Sequence, residues 1–161
     1  AAAGFSLVEL MIVVLMISVL GTISVPAVAK IKVQARSTAV ANDFRVFAAA
    51  FESYAQETGK WPAEAAVGVV PPVMAGRINA TAWQRQTPVG GKYNWDYNQT
   101  HFGQRYQAAI TIAAATGAPL TLDVPQLYSL EKAIDGNVNT LNLTGNFQLS
   151  SSLNPLYLIQ P

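Results

Sequence analysis

The chain has 161 residues and a mass of 17.2 kDa, which is the size of one ordinary domain. Hydrophobic residues make up 51% of the sequence and charged residues only 12%, whereas about 25% of a typical soluble domain is charged. This composition excludes an intrinsically disordered chain, and a net charge of +1 gives no electrostatic reason to expect nucleic acid as a partner. The absence of cysteine excludes disulfides, thiolate metal sites and a cysteine nucleophile.

The apolar excess is concentrated near the N-terminus. The 20 residues from Leu10 to Ala29 contain no charge, and an α-helix of that length covers ~30 Å, the hydrocarbon thickness of a bilayer. A buried core helix would carry a polar stripe, and the apolar region of a signal peptide is only about 7 to 15 residues long. The pattern therefore predicts a transmembrane helix at residues 1–29, followed by a globular α+β domain at residues 30–161.

Two positions in this predicted helix need separate explanations. Glu9 lies among large apolar residues, and a carboxylate near lipid costs roughly 2.5 to 3.5 kcal/mol unless it reaches the headgroups or pairs with a positive group. Pro26 removes one backbone donor and disfavours helical geometry at the preceding residue. Gly21 lies five residues earlier, and the residues between them have poor helix propensity. Residues 21–26 are therefore predicted to be the weakest part of the helix.

The helical pattern continues beyond residue 29. Large apolar residues recur at steps of 7, 4, 3, 4 and 3, which is the helical period and predicts a face packed on a globular domain: Val33, Val40, Phe44, Phe47, Phe51 and Tyr54. Gly59 and Trp61-Pro62 mark the end of the helix. One helix is therefore predicted from about Phe5 to Thr58.

The remaining two thirds of the chain carry strand signals. Alternating residues predict strands at Tyr93–Tyr97 and Tyr106–Ile112. A helix is predicted between Pro125, a residue typical of a helix start, and Gly136, a residue typical of a helix end. A short helical turn is predicted at residues 73–76. Further short strands are predicted at residues 120–122, 140–143, 147–149 and 156–159, with residues 144–146 as a hairpin connection. The predicted fold class is α+β, a long N-terminal helix packed on a small C-terminal antiparallel β-sheet.

The segment Gly4-Phe5-Ser6-Leu7-Val8-Glu9-Leu10 resembles the prepilin cleavage and methylation motif of bacterial type IV pilins and type II secretion pseudopilins. In that family a peptidase cuts after the glycine, a phenylalanine commonly follows, and a glutamate stands four positions later. Gly4, Phe5 and Glu9 match this pattern, and Pro26 falls where pilins often carry a proline. The resemblance covers about the first 30 residues closely and the helix behind them loosely. It implies a pilin-like fold.

The resemblance also implies a structural function. Cleavage would make Phe5 the N-terminal residue with a positive, methylated amine, and Glu9 of a neighbouring subunit would pair with that amine in a filament. The helix would loosen between Gly21 and Pro26. The implied partners are identical subunits in a helical filament, the prepilin peptidase and the pilus or secretion assembly machinery. No cofactor is expected.

The implied location is the bacterial inner membrane before assembly, and afterwards a cell-surface filament. For a pseudopilin it is the periplasm. The sequence leaves open whether the filament is a pilus or a pseudopilus. It also leaves open a role in adhesion, motility, DNA uptake or secretion.

Motifs for other chemistry are weak. The sequence contains no HExxH, no GxSxG, no phosphate loop and no dinucleotide fingerprint, so an enzyme is not expected. Asp135, Asn137 and Asn139 are spaced as the first ligands of a calcium loop. Thr140 occupies the position of that loop's glycine, and Asn146 occupies the position of its bidentate glutamate. A turn after a helix is therefore the preferred interpretation of these weak calcium candidates.

A competing class of protein is a membrane-anchored module whose sheet binds DNA or a secreted substrate. Four aromatic residues near Arg85 and Lys92 would stack on single-stranded bases in that case, and these are Trp83, Tyr93, Trp95 and Tyr97. Packing within a sheet explains the alternating aromatic residues more simply. His101, the only histidine, is expected to be a surface or packed residue.

Overall fold

The computed structural model describes Gly4, residues 6–136 and residues 143–161. In chain order its elements are α1 (Leu7–Thr58), a 3₁₀ turn (Pro72–Met74), α2 (Ala80–Gln84), β1 (Lys92–His101), β2 (Gln104–Ala113), α3 (Val124–Asp135), β3 (Phe147–Leu149) and β4 (Pro155–Gln160). The α+β class, the long N-terminal helix and the small antiparallel sheet are confirmed. Contacts divide the chain into two units, Ala1–Val33 and Gln34–Pro161, which are described separately below.

The sheet of the second unit has the strand order β1-β2-β4-β3, with all pairs antiparallel. Strands β1 and β2 form a hairpin in which His101 lies opposite Gln104. The two residues between them, Phe102 and Gly103, have φ values of 49° and 80°, as a two-residue type I′ turn requires. A β-bulge between Ala108 and Ala109 shifts the register of β2 against β4.

The main core lies between one face of this sheet and residues 34–58 of α1. Phe51 stacks on Trp95 with ring centroids 3.9 Å apart, and Phe47 meets Trp83 edge to face at 5.0 Å. Strand side chains alternate between the two sheet faces, and those on this face include Tyr93, Trp95, Ile110 and Ile112. The predicted apolar face of the helix is confirmed, because its central members are 0% to 2% exposed: Val40, Phe44, Phe47 and Phe51.

Helix α3 packs on the same side of the sheet as residues 34–58 of α1. Leu130 joins the main core, and Gln126 Nε2 donates to Ser37 Oγ at 2.5 Å. Arg45 Nη2 donates to the carbonyl oxygen of Ala133 at 2.6 Å, which satisfies one of the carbonyls that a helix leaves unpaired at its C-terminus. The helix predicted between Pro125 and Gly136 is therefore confirmed.

Two details of the sequence prediction are wrong. Helix α2 was not predicted, because its five residues are too few to show a period; the side chain of Asn79 caps it by accepting from Ala82 N at 3.1 Å. Residues 120–122 form no strand. Leu120 makes only an isolated bridge with Gly90, and Thr121 bonds to the carbonyl oxygen of Val89.

Other predicted elements have mixed outcomes. The short turn near residue 73 and the strands at residues 147–149 and 156–159 are confirmed. Of the strand predicted at residues 140–143, only Leu143 lies in the described part of the chain, where it begins a turn. The strand that would precede the connection at residues 144–146 therefore lies outside the described residues.

Candidate functional site: an uncovered apolar helix

The first unit is a helix whose apolar side chains are uncovered on all its faces. Its described large apolar side chains between Leu7 and Ile31 are 48% to 76% exposed. A helix that is apolar all round is typical of a large protein core or of a membrane span. Among the described residues, α1 is the one helix long and apolar enough to cross a membrane by length and composition. This surface is the leading candidate for function.

Glu9 belongs to a capping structure at the start of α1. Ser6 N donates to Glu9 Oε2 at 2.9 Å, and Val8 N donates to Ser6 Oγ at 3.2 Å. This is a capping-box arrangement, in which two side chains satisfy backbone donors that a helix N-terminus leaves unpaired. This capping role of Ser6 and Glu9 was not predicted, although Ser-x-x-Glu before an apolar run is its local signal.

Helix α1 passes through Gly21 and Pro26 without interruption. A Cβ placed on Gly21 would meet nothing within 4 Å. Hydroxyl groups in this half bond back to helix carbonyls, Ser18 Oγ to Val14 O at 2.8 Å and Thr22 Oγ1 to Val19 O at 2.7 Å, which suits polar groups in apolar surroundings. The weakness predicted for residues 21–26 does not break the helix here, and the predicted loosening in a filament stays a prediction.

The predicted processing site is only half described. Gly4 is exposed and precedes the helix, whereas Phe5 lies outside the described residues. The first unit contains all four described residues that were predicted for processing, assembly or helix flexibility, namely Gly4, Glu9, Gly21 and Pro26. The pairing of Phe5 with Glu9 of another copy stays a prediction.

Asp135 is the one calcium candidate in the described part of the chain, because Asn137 and Asn139 lie outside it. Its Oδ1 accepts from Asn146 N at 3.0 Å and its Oδ2 accepts from Phe147 N at 2.8 Å. Both carboxylate oxygens are thus used to hold the chain at the start of β3. Within the described ranges, no group of three His, Cys, Asp or Glu side chains is placed to hold a metal ion.

A buried polar cluster lies on the sheet face opposite α1. Asp96 is 7% exposed, and its Oδ2 lies 3.5 Å from His101 Nε2, while Asn94 Nδ2 donates to its Oδ1 at 2.5 Å. Burial raises the pKa of Asp96. A hydrogen bond from Thr111 opposes this rise in the pKa, and the nearby charge of Glu64 adds to it.

A bend in β1 brings this cluster together. Asp96 and His101 are five positions apart, about 16 Å along a straight strand. Asn98 has a left-handed φ of 59°, which bends the strand and reverses the alternation of its side chains. Ser151 N then donates to His101 Nδ1 at 3.4 Å, and Phe102 N donates to Ser151 Oγ at 3.1 Å. The hairpin tip is thereby held on the turn between β3 and β4.

This cluster does not form a nucleophile–base pair. Ser151 contacts the imidazole of His101 through its backbone N–H, whereas an activated serine needs its hydroxyl hydrogen-bonded to the base. The Ser151 hydroxyl instead accepts from Phe102 N. The histidine is a packed residue, with its side chain 14% exposed.

The aromatic residues considered for base stacking are mostly core residues. Trp83, Tyr93 and Trp95 are 0% exposed, so their rings present no face to a nucleic acid, and this part of the competing interpretation is wrong. The ring N–H groups of Trp83 and Trp95 donate to backbone carbonyls. The hydroxyl of Tyr93 donates to Asp43 Oδ2 at 2.9 Å, and burial raises the pKa of Tyr93.

Comparison of the chain with protein-family models, with curated proteins and with solved structures finds no match. Any conclusion about function therefore depends on the chemistry of the residues described above.

Proposed function

We propose that the protein is a membrane-anchored structural subunit of a type IV pilus-like filament, and that it polymerises through its apolar N-terminal helix. The observation that carries this proposal is the exposure of every described apolar side chain between Leu7 and Ile31, at 48% to 76% for the large ones. Burying a Val, Leu or Ile side chain contributes about 1.5 to 3 kcal/mol. A helix with so many such side chains in water is strongly driven into a bilayer or against other apolar helices.

The same helix suits both environments. The 20 uncharged residues from Leu10 to Ala29 match the thickness of a bilayer, so an unassembled subunit is anchored in the membrane. Helices in apolar surroundings associate through small residues that permit close approach, and Ser18 and Gly21 provide such residues three positions apart. The open space beside Gly21 leaves room for a neighbouring helix. Assembly then exchanges lipid contacts for helix contacts.

Glu9 gives this exchange its specificity. In lipid an uncompensated carboxylate costs roughly 2.5 to 3.5 kcal/mol, and its hydrogen bond to Ser6 N does not neutralise its charge. The resemblance to prepilins supplies a positive group of the right kind, the Phe5 amine of a neighbouring copy. Pairing with that amine removes the cost and sets the axial position of one subunit against the next.

The test compares Glu9→Gln with Glu9→Ala in cells that produce filaments. Glutamine preserves the capping hydrogen bond, whereas alanine does not, and both variants lack the charge. If the charge drives pairing, both variants are expected to lower incorporation into sheared filaments by at least roughly tenfold, the factor that corresponds to 1.4 kcal/mol. Glu52→Gln, an exposed position on the same helix, is the control and assembles normally. Normal incorporation of Glu9→Gln would show that charge pairing is not required.

Two alternative functions share the membrane anchor. A type II secretion pseudopilin would assemble by the same chemistry without long surface filaments, so electron microscopy of sheared surface material, with intact mass to locate the cut, distinguishes it from a pilin. A membrane-anchored module that binds DNA or a secreted substrate would retain its ligand after residues 1–29 are deleted. A filament subunit would lose its activity on that deletion.

A further inference from the structure

The most exposed large apolar side chains of the second unit lie in two places. In the described part of this unit they are Phe102, Leu153 and Val124, at 66%, 65% and 59% exposure. Phe102 and Leu153 stand on neighbouring turns that Ser151 joins by hydrogen bonds, and we name them the turn patch. Val124 and Tyr128 share one face of α3, because residues four apart are neighbours on a helix, and we name them the α3 patch.

The turn patch is held in an unfavourable backbone conformation. Phe102 has a φ of 49° and Leu153 a φ of 60°, a left-handed region that costs free energy for any residue with a Cβ. Asn and Gly are the residues that such turn positions prefer. Both turns instead carry a large apolar side chain that is two thirds exposed. Hydrogen bonds from Phe102 N to Ser151 Oγ and from Leu153 N to the carbonyl oxygen of Ser150 hold this strain in place, and backbone strain that is held in this way clusters at functional positions.

The two patches lie on opposite faces of the sheet. The His101 ring, next to the turn patch, lies 5.8 Å from the Tyr106 ring, and Tyr106 packs with Ala109 and Leu156 on the face opposite α1. Helix α3 packs on the α1 face, where Leu130 joins the main core. One copy can therefore offer each patch to a different neighbour. A repeated contact between two unlike patches generates an open helical filament when its rotation does not close a ring.

Charge favours α3 as the partner surface. Arg105 is exposed beside the turn patch, and neither turn contains an acidic residue within residues 101–105 or 150–154. Asp123 is exposed and directly precedes the α3 patch. A further apolar group around Val69 is less suitable, because the adjoining Gly68 packs against the side chain of Lys92, which would repel Arg105.

We propose that the turn patch of one copy docks on the α3 patch of the next copy, with Arg105 facing Asp123. The proposal rests on the proposed function, since it supplies a contact that repeats between the globular units along the filament.

Cysteine crosslinking tests this contact in the full chain, because the natural sequence contains no cysteine. The double variant Phe102→Cys with Val124→Cys is oxidised in cells that produce filaments, and a ladder of disulfide-linked dimers, trimers and larger multimers is expected. Each single variant gives no ladder. The matched control Phe102→Cys with Val46→Cys has a second cysteine of similar exposure, since Val46 is 58% exposed, and gives none either. A missing ladder, or an equal ladder in the control, overturns the proposal.

A second variant keeps the result independent of folding. Phe102→Asn with Leu153→Asn places the preferred residue at each left-handed position, so the melting temperature is expected to stay equal or rise, while incorporation into filaments falls at least tenfold. Arg105→Asp is expected to lower the yield of the ladder at least fivefold. Asp123→Asn is expected to lower it as well, because asparagine removes the charge but keeps the cap that Asp123 forms on Gln126 N. Normal incorporation of the double asparagine variant overturns the proposal.

The outcomes also separate this proposal from the proposed function. Filaments that depend on Glu9 but show no ladder contradict the patch contact and leave the filament function intact. A ladder in cells whose membranes contain no filaments supports the patch contact and contradicts the filament function.

Discussion

At the level of single residues, the carboxylates differ in what they bind. Glu9, Asp123 and Asp135 each accept from backbone N–H groups, so they shape the start of a helix or of a strand. Asp96 is buried among side chains instead, next to Asn94 and His101. Because burial opposes ionisation, Asp96 is the position where pH is expected to act on the stability of the globular unit.

The pH dependence follows from the direction of the pKa shift. Burial raises the pKa of Asp96 above its ordinary value of 3.8, so its contribution to stability is fully present below pH 3.8 and is lost as the pH rises through the raised pKa. Asn does not titrate. The melting temperature of the natural chain in detergent is therefore expected to fall relative to that of Asp96→Asn between pH 3.5 and pH 7.

Glu64 and His101 are the ionisable neighbours of Asp96, and the experiment includes a control for each. Glu64 is present in both chains, and a His101→Gln background removes the imidazole that lies 3.5 Å away. The trend is expected to persist in that background. A difference in melting temperature that does not change with pH would contradict the assigned role of burial.

At the level of secondary structure elements, α1 has two halves with different environments. Its large apolar side chains before residue 32 are exposed, whereas Val40, Phe44, Phe47 and Phe51 are buried under the sheet. Residues of β1, β2 and α3 form the rest of the core around these four side chains. Substitutions along one helix should therefore have effects of very different size.

Phe51→Ala tests the packed half. Phe51 is 0% exposed and stacks on Trp95, and truncation of a buried phenylalanine costs about 3 to 5 kcal/mol. A clear fall in the melting temperature is expected. Val46→Ala, on the exposed side of the same segment at 58% exposure, is expected to change stability by no more than about 0.5 kcal/mol. Equal effects of the two substitutions would contradict the packing described here.

The segment between Gly21 and Pro26 tests the apolar half. Alanine is better than glycine in a helix by about 1 kcal/mol and better than proline by about 3 kcal/mol, and a Cβ on Gly21 meets nothing within 4 Å. The variant Gly21→Ala with Pro26→Ala is therefore expected to slow amide hydrogen exchange at residues 22–25 in detergent, as measured by mass spectrometry. Unchanged exchange would show that this segment is not the weak part of the helix.

At the level of the whole molecule, the chain consists of two units with unlike chemistry. The unit Gln34–Pro161 contains the sheet and both apolar clusters, while the described side chains of the unit Ala1–Val33 are mainly apolar and exposed. Such a division suits a protein whose first part acts in lipid or in a filament core and whose second part is in water.

Deletion of residues 1–33 tests this division. The remaining chain is expected to be soluble and monomeric and to unfold cooperatively, since its core lies wholly within residues 34–161. The full chain is expected to stay with membranes after alkaline extraction. Size-exclusion chromatography and circular dichroism measure the first outcome, and cell fractionation measures the second. Aggregation of the shortened chain would show that its core needs the first unit.

Features that depend on neighbouring residues could be predicted from the sequence. The apolar period of α1, its end before Gly59 with a φ of 70°, the alternation in β1 and β2 and the helix that starts at Val124 all have local causes. The candidate site could also be predicted from adjacent residues, because it consists of an uninterrupted apolar run with Glu9 at its start. The cap at Ser6 also has a local cause, because Ser6 and Glu9 are three positions apart.

Features that depend on distant residues required the tertiary structure. His101 meets Ser151 across 50 positions, and the Tyr93 hydroxyl meets Asp43 across 50 positions, so no local pattern predicts either contact. The burial of Asp96 depends on the bend at Asn98 and on the packing of β1 against β2. By itself the sequence determined the helices α1 and α3, the strands β1 and β2, and which helix seeks an apolar environment, because periodicity and hydropathy act locally. The tertiary structure alone decided which polar groups are buried and which apolar side chains stay exposed, because burial depends on the whole packed unit.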